Sequence, residues 1–132
     1  MKYFTIAELC KSTTADRLGI NNRCRQEHVT ALTALVDNVL DPLRTWWGKP
    51  ITVNSGYRCP ELNAAVKGSK TSQHMVGEAA DIDTGDRQPN KLLFEYIRKN
   101  LPYDQLIDES NFAWVHVSYR ADGNNRMQIL KL

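Results

Sequence analysis

The spacing of apolar residues changes along the chain, from a helical period early on to alternation later. The helical period is carried by Val29, Leu32, Val36, Val39, Leu40 and Leu43. This spacing predicts a helix with one apolar face. Asp41 and Pro42 interrupt it, where the proline either begins a new turn or kinks the helix, and Gly48 ends it. Thr5 and Glu8 predict a capping box that opens a short first helix.

Short apolar runs bounded by turn residues predict strands at residues 51–54, 79–83, 105–109, 114–119 and 127–132. Further helices are predicted at residues 60–66 and 89–100. An Asp-Gly-Asn-Asn turn at residues 122–125 joins the last two strands. Because helices come first and strands mostly follow, we expect an α+β fold with N-terminal helices packed on a small, largely antiparallel sheet.

The composition favours one globular domain over residues 1–132, since 42% of the residues are hydrophobic and 24% are charged. No apolar run reaches about 18 residues, so we expect no membrane span. The formal charge of +2 is too balanced to favour nucleic-acid binding. Glu8 lies where a signal peptide would have its apolar core, so we expect cytoplasmic synthesis without a secretion signal.

The three cysteines, Cys10, Cys24 and Cys59, lie far apart and form no CxxC pair. Their odd number favours reduced thiols over a disulfide framework. The same spacing argues against a structural zinc knuckle.

A first candidate site contains His74 and Asp81. Seven residues of extended strand would separate these two side chains by about 23 Å. A turn is therefore needed to bring them together, and Gly77 supplies the backbone freedom for it. Asp81 lies in an otherwise apolar predicted strand, where an unpaired carboxylate is costly, so we expect a cation beside it. A turn or salt-bridge role for Asp81 is the alternative.

His116 is the second candidate ligand. Alternation along its strand places it on the same face as Trp114, while the opposite, β-branched face points to the core. Two imidazoles and one carboxylate leave a fourth tetrahedral position open for water, as in catalytic zinc sites. A lone histidine in a strand is more often structural, so the prediction depends on the joint pattern. The third histidine, His28, is expected to be exposed at the charged start of a helix.

The motif SxHxxGxAxD at residues 72–81 resembles the signature of the M15 zinc peptidases. That family includes D-Ala-D-Ala carboxypeptidases and L-Ala-D-Glu endolysins, and it shares a superfamily with lysostaphin-type enzymes and hedgehog signalling domains. WVH at residues 114–116 is similar to its second zinc motif, and SGYR at residues 55–58 is similar to a segment whose arginine meets a substrate carboxylate. The resemblance is closest to the small phage and bacterial members and covers residues 4–119.

The resemblance implies a hedgehog/DD-peptidase-like fold and one zinc ion per chain, held by His74, Asp81 and His116. It also implies that Arg58 binds a substrate carboxylate, for which the planar guanidinium is suited. Ser72 and Trp114 would contact the substrate. A surface salt bridge is the alternative for Arg58, and a turn cap is the alternative for Ser72.

The catalytic base is where the chain departs from the family pattern. Many members carry an acid three positions before the last histidine, but here that position is Ala113. Asp108 and Glu109 end the preceding predicted strand, and a hairpin through residues 110–113 would bring either acid towards the zinc. We expect Glu109 to be the base, with Asp108 as the second choice and an exposed strand-end acid as the structural alternative.

The resulting functional prediction is zinc-dependent hydrolysis of an amide bond in peptidoglycan stem peptides. D,D-carboxypeptidase and L-Ala-D-Glu endopeptidase action both remain open. A phage-type endolysin would reach the cell wall after phage-mediated release. We expect no nucleic-acid or membrane partner, and a monomer is favoured. The alternative is a non-catalytic zinc-containing binding module, or a phage structural component, of the same fold.

Overall fold

The computed structural model describes residues 1–132 as helices packed on one sheet. The helices are α1 (Ile6–Cys10), α2 (Thr13–Leu18), α3 (Gln26–Leu35), α4 (Asp41–Trp47), α5 (Pro60–Ala65) and α6 (Arg87–Asn100). The strands are β1 (Thr52–Ser55), β2 (Ala79–Asp83), β3 (Gln105–Glu109), β4 (Trp114–Ser118) and β5 (Gln128–Lys131). A π-helical turn, Val36–Leu40, joins α3 to α4, and a 3-10 turn, Gln73–Val76, precedes β2. None of the helices combines the length and the apolar character needed to cross a membrane.

The sheet has the strand order β1-β2-β4-β3-β5. The pairs β1–β2, β2–β4 and β3–β4 are antiparallel, whereas β5 runs parallel to β3. The predicted α+β fold with a largely antiparallel sheet is therefore confirmed. The turn at residues 122–125 does not form a hairpin between the last two strands. Because β2 and β3 already occupy both sides of β4, the final strand can pair only at an edge, and it pairs beside β3.

The hydrophobic core lies between the helices and one face of this sheet. It contains the fully buried Leu32, Leu35, Val39 and Leu43 from the predicted apolar stripe. Val115 and Val117 of β4 are also fully buried in it, as the alternation predicted. Since successive strand residues point to opposite faces, the neighbours of these valines lie on the other face of the sheet, away from the helices.

The helix ends follow the predicted capping residues, but the helix does not break at Pro42. Thr5 Oγ1 accepts a hydrogen bond from the Glu8 amide at 3.1 Å and begins α1. At Asp41 the backbone stays helical, so α4 continues directly from the π-helical turn, with the proline in its first turn. Pro42 lacks the N–H that a continuing helix would use, and directly before it the hydrogen bonding widens to the π-helical pattern, with the Asp41 amide bonded to the Val36 carbonyl. Gly48 ends α4 with a φ of 74°.

Cys10 and Cys24 form a disulfide, so the prediction of three reduced thiols is wrong; only Cys59 is free. The chain folds back between the two cysteines around Asn22. The Asn22 side-chain amide donates to the carbonyls of Cys10 and Tyr57, at 2.9 Å each, and its oxygen accepts from the Cys59 amide at 2.7 Å. A spacing of 14 residues does not by itself reveal this reversal of the chain.

Removing this disulfide should lower the free energy of unfolding. Closing a loop of about 15 residues is worth about 3 kcal/mol through the entropy of the unfolded chain. We expect Cys10→Ser, or reduction of the wild type, to lower the urea midpoint accordingly. Cys59→Ser is the matched control and should respond to reductant as the wild type does. An unchanged midpoint on reduction would contradict the pairing.

A buried carboxylate, Asp104, anchors the C-terminal segment to the start of β3. Its side chain is 0% exposed, and Arg126 Nη2 lies 2.7 Å from its Oδ2. The Arg126 amide donates to Oδ1 at 2.8 Å, and Gln73 Nε2 donates to Oδ2 at 2.9 Å. Burial alone would raise the pKa of Asp104, but the side-chain and backbone hydrogen bonds from Arg126 outweigh burial and lower it to about 2.

This carboxylate should make stability depend on acid pH. Because the pKa of Asp104 is lower in the folded state, its contribution is fully present above about pH 4 and is lost as pH falls through about 2. We expect Asp104→Asn to cost about 1–2 kcal/mol at pH 7, since the exposed Arg126 partner is screened. Urea unfolding at several pH values, with Asp16→Asn as control, measures this. A deficit that stays constant down to pH 2 would contradict it.

Candidate metal centre

The structure brings together the three side chains that the sequence predicted as metal ligands. Pairing of β2 with β4 places Asp81 directly opposite His116. His74 lies in the turn Gln73–Val76, which ends at Gly77 with a φ of 78° and leads into β2. A side chain at Gly77 would also collide with the backbone of α3. One ligand atom from each of the three residues lies within 4.8 Å of the others.

The protonation of His74 follows from its contact with the Gly56 carbonyl. His74 Nδ1 lies 2.7 Å from this oxygen, and a carbonyl can only accept, so Nδ1 carries the proton. In the neutral imidazole, the form that binds a metal, Nε2 then presents a lone pair. It lies 3.3 Å from Asp81 Oδ1 and has no hydrogen-bond partner, although the side chain is only 3% exposed. Two electron-rich atoms that face each other in a buried site repel, and a cation between them would remove this repulsion.

Asp81 completes an electron-rich set. His116 Nδ1 lies 3.0 Å from the same Asp81 oxygen that faces His74. Burial alone would raise the pKa of Asp81, but hydrogen bonding with the His116 imidazole holds it well below its usual range. An ionised carboxylate and two imidazole nitrogens are the ligand types of a catalytic zinc site. The residues present therefore fit a zinc ion.

The second oxygen of Asp81 is held by Arg58. Arg58 Nη2 lies 3.4 Å from Asp81 Oδ2, while Nε donates to Ser55 Oγ at 3.0 Å and Nη1 to Asn63 Oδ1 at 3.2 Å. The Arg58 side chain is 16% exposed and lines the cleft above the ligands. This arrangement fixes the orientation of the carboxylate, as outer partners of metal ligands generally do.

Glu109, rather than Asp108, faces this cleft, which has a volume of about 580 Å³. The hairpin predicted at residues 110–113 pairs Glu109 with Trp114, and both line the cleft. Burial and the charge of Asp81 raise the pKa of Glu109. The Asp108 side chain lies away from the cleft and is buried, where Oδ1 accepts a hydrogen bond from the Phe112 amide at 2.6 Å.

Two other predicted positions have local structural contacts. Ser72 Oγ accepts from the His74 amide at 3.2 Å and caps the ligand turn, and Ser72 also lines the cleft. His28 is not fully exposed, which corrects the prediction for it. Its ring stacks on Tyr57 with centroids 4.2 Å apart, and Nδ1 accepts from the Arg25 amide at 3.1 Å. The stacking removes one face of the ring from solvent.

Three residues that were not predicted from the sequence also support the ligands: Ser55, Gly56 and Asn63. Ser55 and Gly56 belong to the motif that contains Arg58, so their proximity to the site could have been inferred. The contribution of Gly56 is a backbone carbonyl, which every residue has. A side chain there would lie 2.1 Å from the Leu9 carbonyl oxygen, which explains why the position requires glycine.

Comparison with known proteins agrees with this geometry. The sequence model of a family described as Peptidase M15 matches residues 2–118. A zinc D-Ala-D-Ala carboxypeptidase from Streptomyces albus G is 38% identical over 76 residues, which cover 50% of this chain and 30% of that protein. The family model covers most of the chain, so the chain belongs to the M15 peptidase family. Its three candidate ligands are of the types that hold catalytic zinc.

Substitution of the ligand residues should abolish zinc binding. We expect about one zinc per chain in the wild type and little in His74→Ala or His116→Ala. Arg58 only orients a ligand, so Arg58→Gln should lower the zinc affinity by roughly 10- to 100-fold. The ligand substitutions should lower the zinc affinity by more than this.

Elemental analysis after reconstitution and competition with a chelating dye provide the measurement. His28→Ala is the control, because this third histidine lies outside the site. Stoichiometric zinc in both ligand variants would exclude the assigned site.

Proposed function

We propose that this chain hydrolyses an amide bond in peptidoglycan stem peptides, with one zinc ion held by His74, Asp81 and His116. The observation that carries the proposal is the buried, unpartnered Nε2 of His74 facing an ionised carboxylate at the floor of a cleft. The zinc D-Ala-D-Ala carboxypeptidase relative supports the substrate class.

The residues around the ligands supply the remaining chemistry. When bound, zinc acts as a Lewis acid that polarises the scissile carbonyl and makes water more acidic. Glu109 is the general base: its carboxylate accepts a proton from the attacking water and returns it to the leaving nitrogen. Ile107 of β3 pairs with His116, and Glu109 lies two residues further along β3. Glu109 is therefore displaced from His116 by about 7 Å along the strand direction. A substrate amide fits between these positions.

Arg58 orients both the ligand set and the substrate. Its guanidinium holds Asp81 and still faces the cleft, where its free N–H groups bind a substrate carboxylate. Trp114 packs against the bound peptide beside Glu109. Ser72 fixes the ligand turn and contacts the substrate from that turn.

The Cys10–Cys24 disulfide supports action outside the reducing cytoplasm, since disulfides persist in oxidising compartments. Both D,D-carboxypeptidase action and an endolysin that cuts after L-Ala are compatible with this location. A zinc-containing binding module without catalysis is the second candidate. It is favoured by Ala113, which stands where many members carry an acid.

Replacing the base should separate catalysis from metal binding. We expect Glu109→Gln to keep its zinc but to lower the turnover of purified sacculi by about 10²- to 10⁴-fold, the usual contribution of a general base. Mass spectrometry of the released D-Ala and peptides, and of the muropeptides from the treated sacculi, measures turnover and reports the bond that is cut.

Asp108→Asn is the matched control, since Asp108 lies away from the cleft. It should weaken the hairpin but retain turnover in the folded fraction. If the zinc-loaded wild type releases neither D-Ala nor a stem-peptide fragment, the binding module replaces the enzyme. Full turnover by Glu109→Gln would instead move the base elsewhere.

A further inference from the structure

Two arginines that follow β4 line the metal cleft at the end opposite Glu109. Arg120 and Arg126 both border the cleft. Arg120 follows His116 by four residues, which is about 13 Å at strand spacing. Trp114 precedes His116 by two residues. The Glu109–Trp114 pair and the two arginines therefore lie on opposite sides of the ligands. Both arginines also lie beyond residues 2–118, the part matched by the family.

Asp104 needs only one of these arginines. Arg126 Nε and Nη2 contact both Asp104 oxygens, with Nη2 to Oδ2 at 2.7 Å, which neutralises the buried carboxylate. Arg120 Nε lies 3.2 Å from Asp104 Oδ2, but the Arg120 guanidinium donates no hydrogen bond in the structure. Its side chain is 37% exposed, and that of Arg126 is 45% exposed. One cationic group with free N–H donors therefore faces the cleft.

Glu78 is the other acid near this pair and does not cancel its charge in the cleft. Its carboxylate accepts from Gln73 Nε2 at 3.1 Å and makes no ion pair with either arginine. Glu78 does not line the cleft. The buried Asp104 therefore fixes the direction of the Arg126 guanidinium and attracts that of Arg120, while their outer donors stay available to an anion.

We propose that Arg120 and Arg126 form a second carboxylate subsite of the cleft, separate from Arg58. This inference rests on the proposed function and specifies its substrate. The cleaved peptide carries a free carboxylate about three to four residues from the scissile amide, since extended peptide spans about 3.3 Å per residue. Planar guanidinium groups suit a carboxylate, and Asp104 keeps both arginines beside the cleft before the substrate arrives, Arg126 through hydrogen bonds and Arg120 through its charge.

Direct binding tests the subsite independently of turnover. The protein is zinc-loaded Glu109→Gln, so that the peptide is not consumed. The probes are the stem pentapeptide L-Ala-γ-D-Glu-L-Lys-D-Ala-D-Ala, which contains both candidate scissile bonds, and two forms of it, one amidated at the D-Glu α-carboxylate and the other at the C-terminus. We expect one of the amidations to weaken binding about five- to tenfold through this subsite, between the effect of an exposed ion pair and that of a charge-assisted hydrogen bond.

Arg120→Gln should abolish the effect of that amidation, and because Arg120 donates no hydrogen bond this variant should fold. Arg98→Gln, on the surface of α6, is the matched control and should retain it. Three results would overturn the subsite. The parent could bind all three peptides equally, Arg120→Gln could keep the effects of both amidations, or Arg98→Gln could lose the same amidation effect as Arg120→Gln. Binding without hydrolysis by the zinc-loaded wild type would reject the proposed function and leave the subsite intact.

Discussion

A single buried carboxylate, Asp81, organises the functional face of this protein. One of its oxygens faces two imidazoles, at 3.0 and 3.3 Å, and the other faces Arg58. An unpaired charge at this depth would be strongly unfavourable, so an acid at this position of β2 requires charged or hydrogen-bonding partners around it. Since His74 presents a lone pair rather than a proton to Asp81, a metal cation is the partner that satisfies both residues.

The contacts that support this carboxylate extend into the N-terminal helices. The Gly56 carbonyl sets the tautomer of His74, and Gly56 packs against the Leu9 carbonyl. The Tyr57 amide donates to that same Leu9 oxygen at 2.9 Å. The disulfide from Cys10 stabilises this junction. The helices thus form part of the core and also orient a metal ligand from behind.

Residues whose side chains follow a strand or turn pattern could be predicted from the sequence. Alternation placed His116 on the face opposite Val115, and Gly77 marked the turn that returns the chain from His74 to Asp81. The sequence could not reveal the disulfide or the parallel pairing of β5, because both depend on which distant segments meet. The role of Gly56 is likewise a property of the fold, since it acts through its backbone.

X-ray absorption at the zinc edge tests the ligand assignment most directly, because it reports the atoms around the ion. The account predicts two imidazole nitrogens and carboxylate or water oxygens at about 2.0–2.2 Å, without sulfur. Replacing His116 with alanine should remove one imidazole from this shell. A sulfur neighbour at about 2.3 Å, which Cys59 would have to provide, or a shell without histidine would contradict a zinc site built on Asp81.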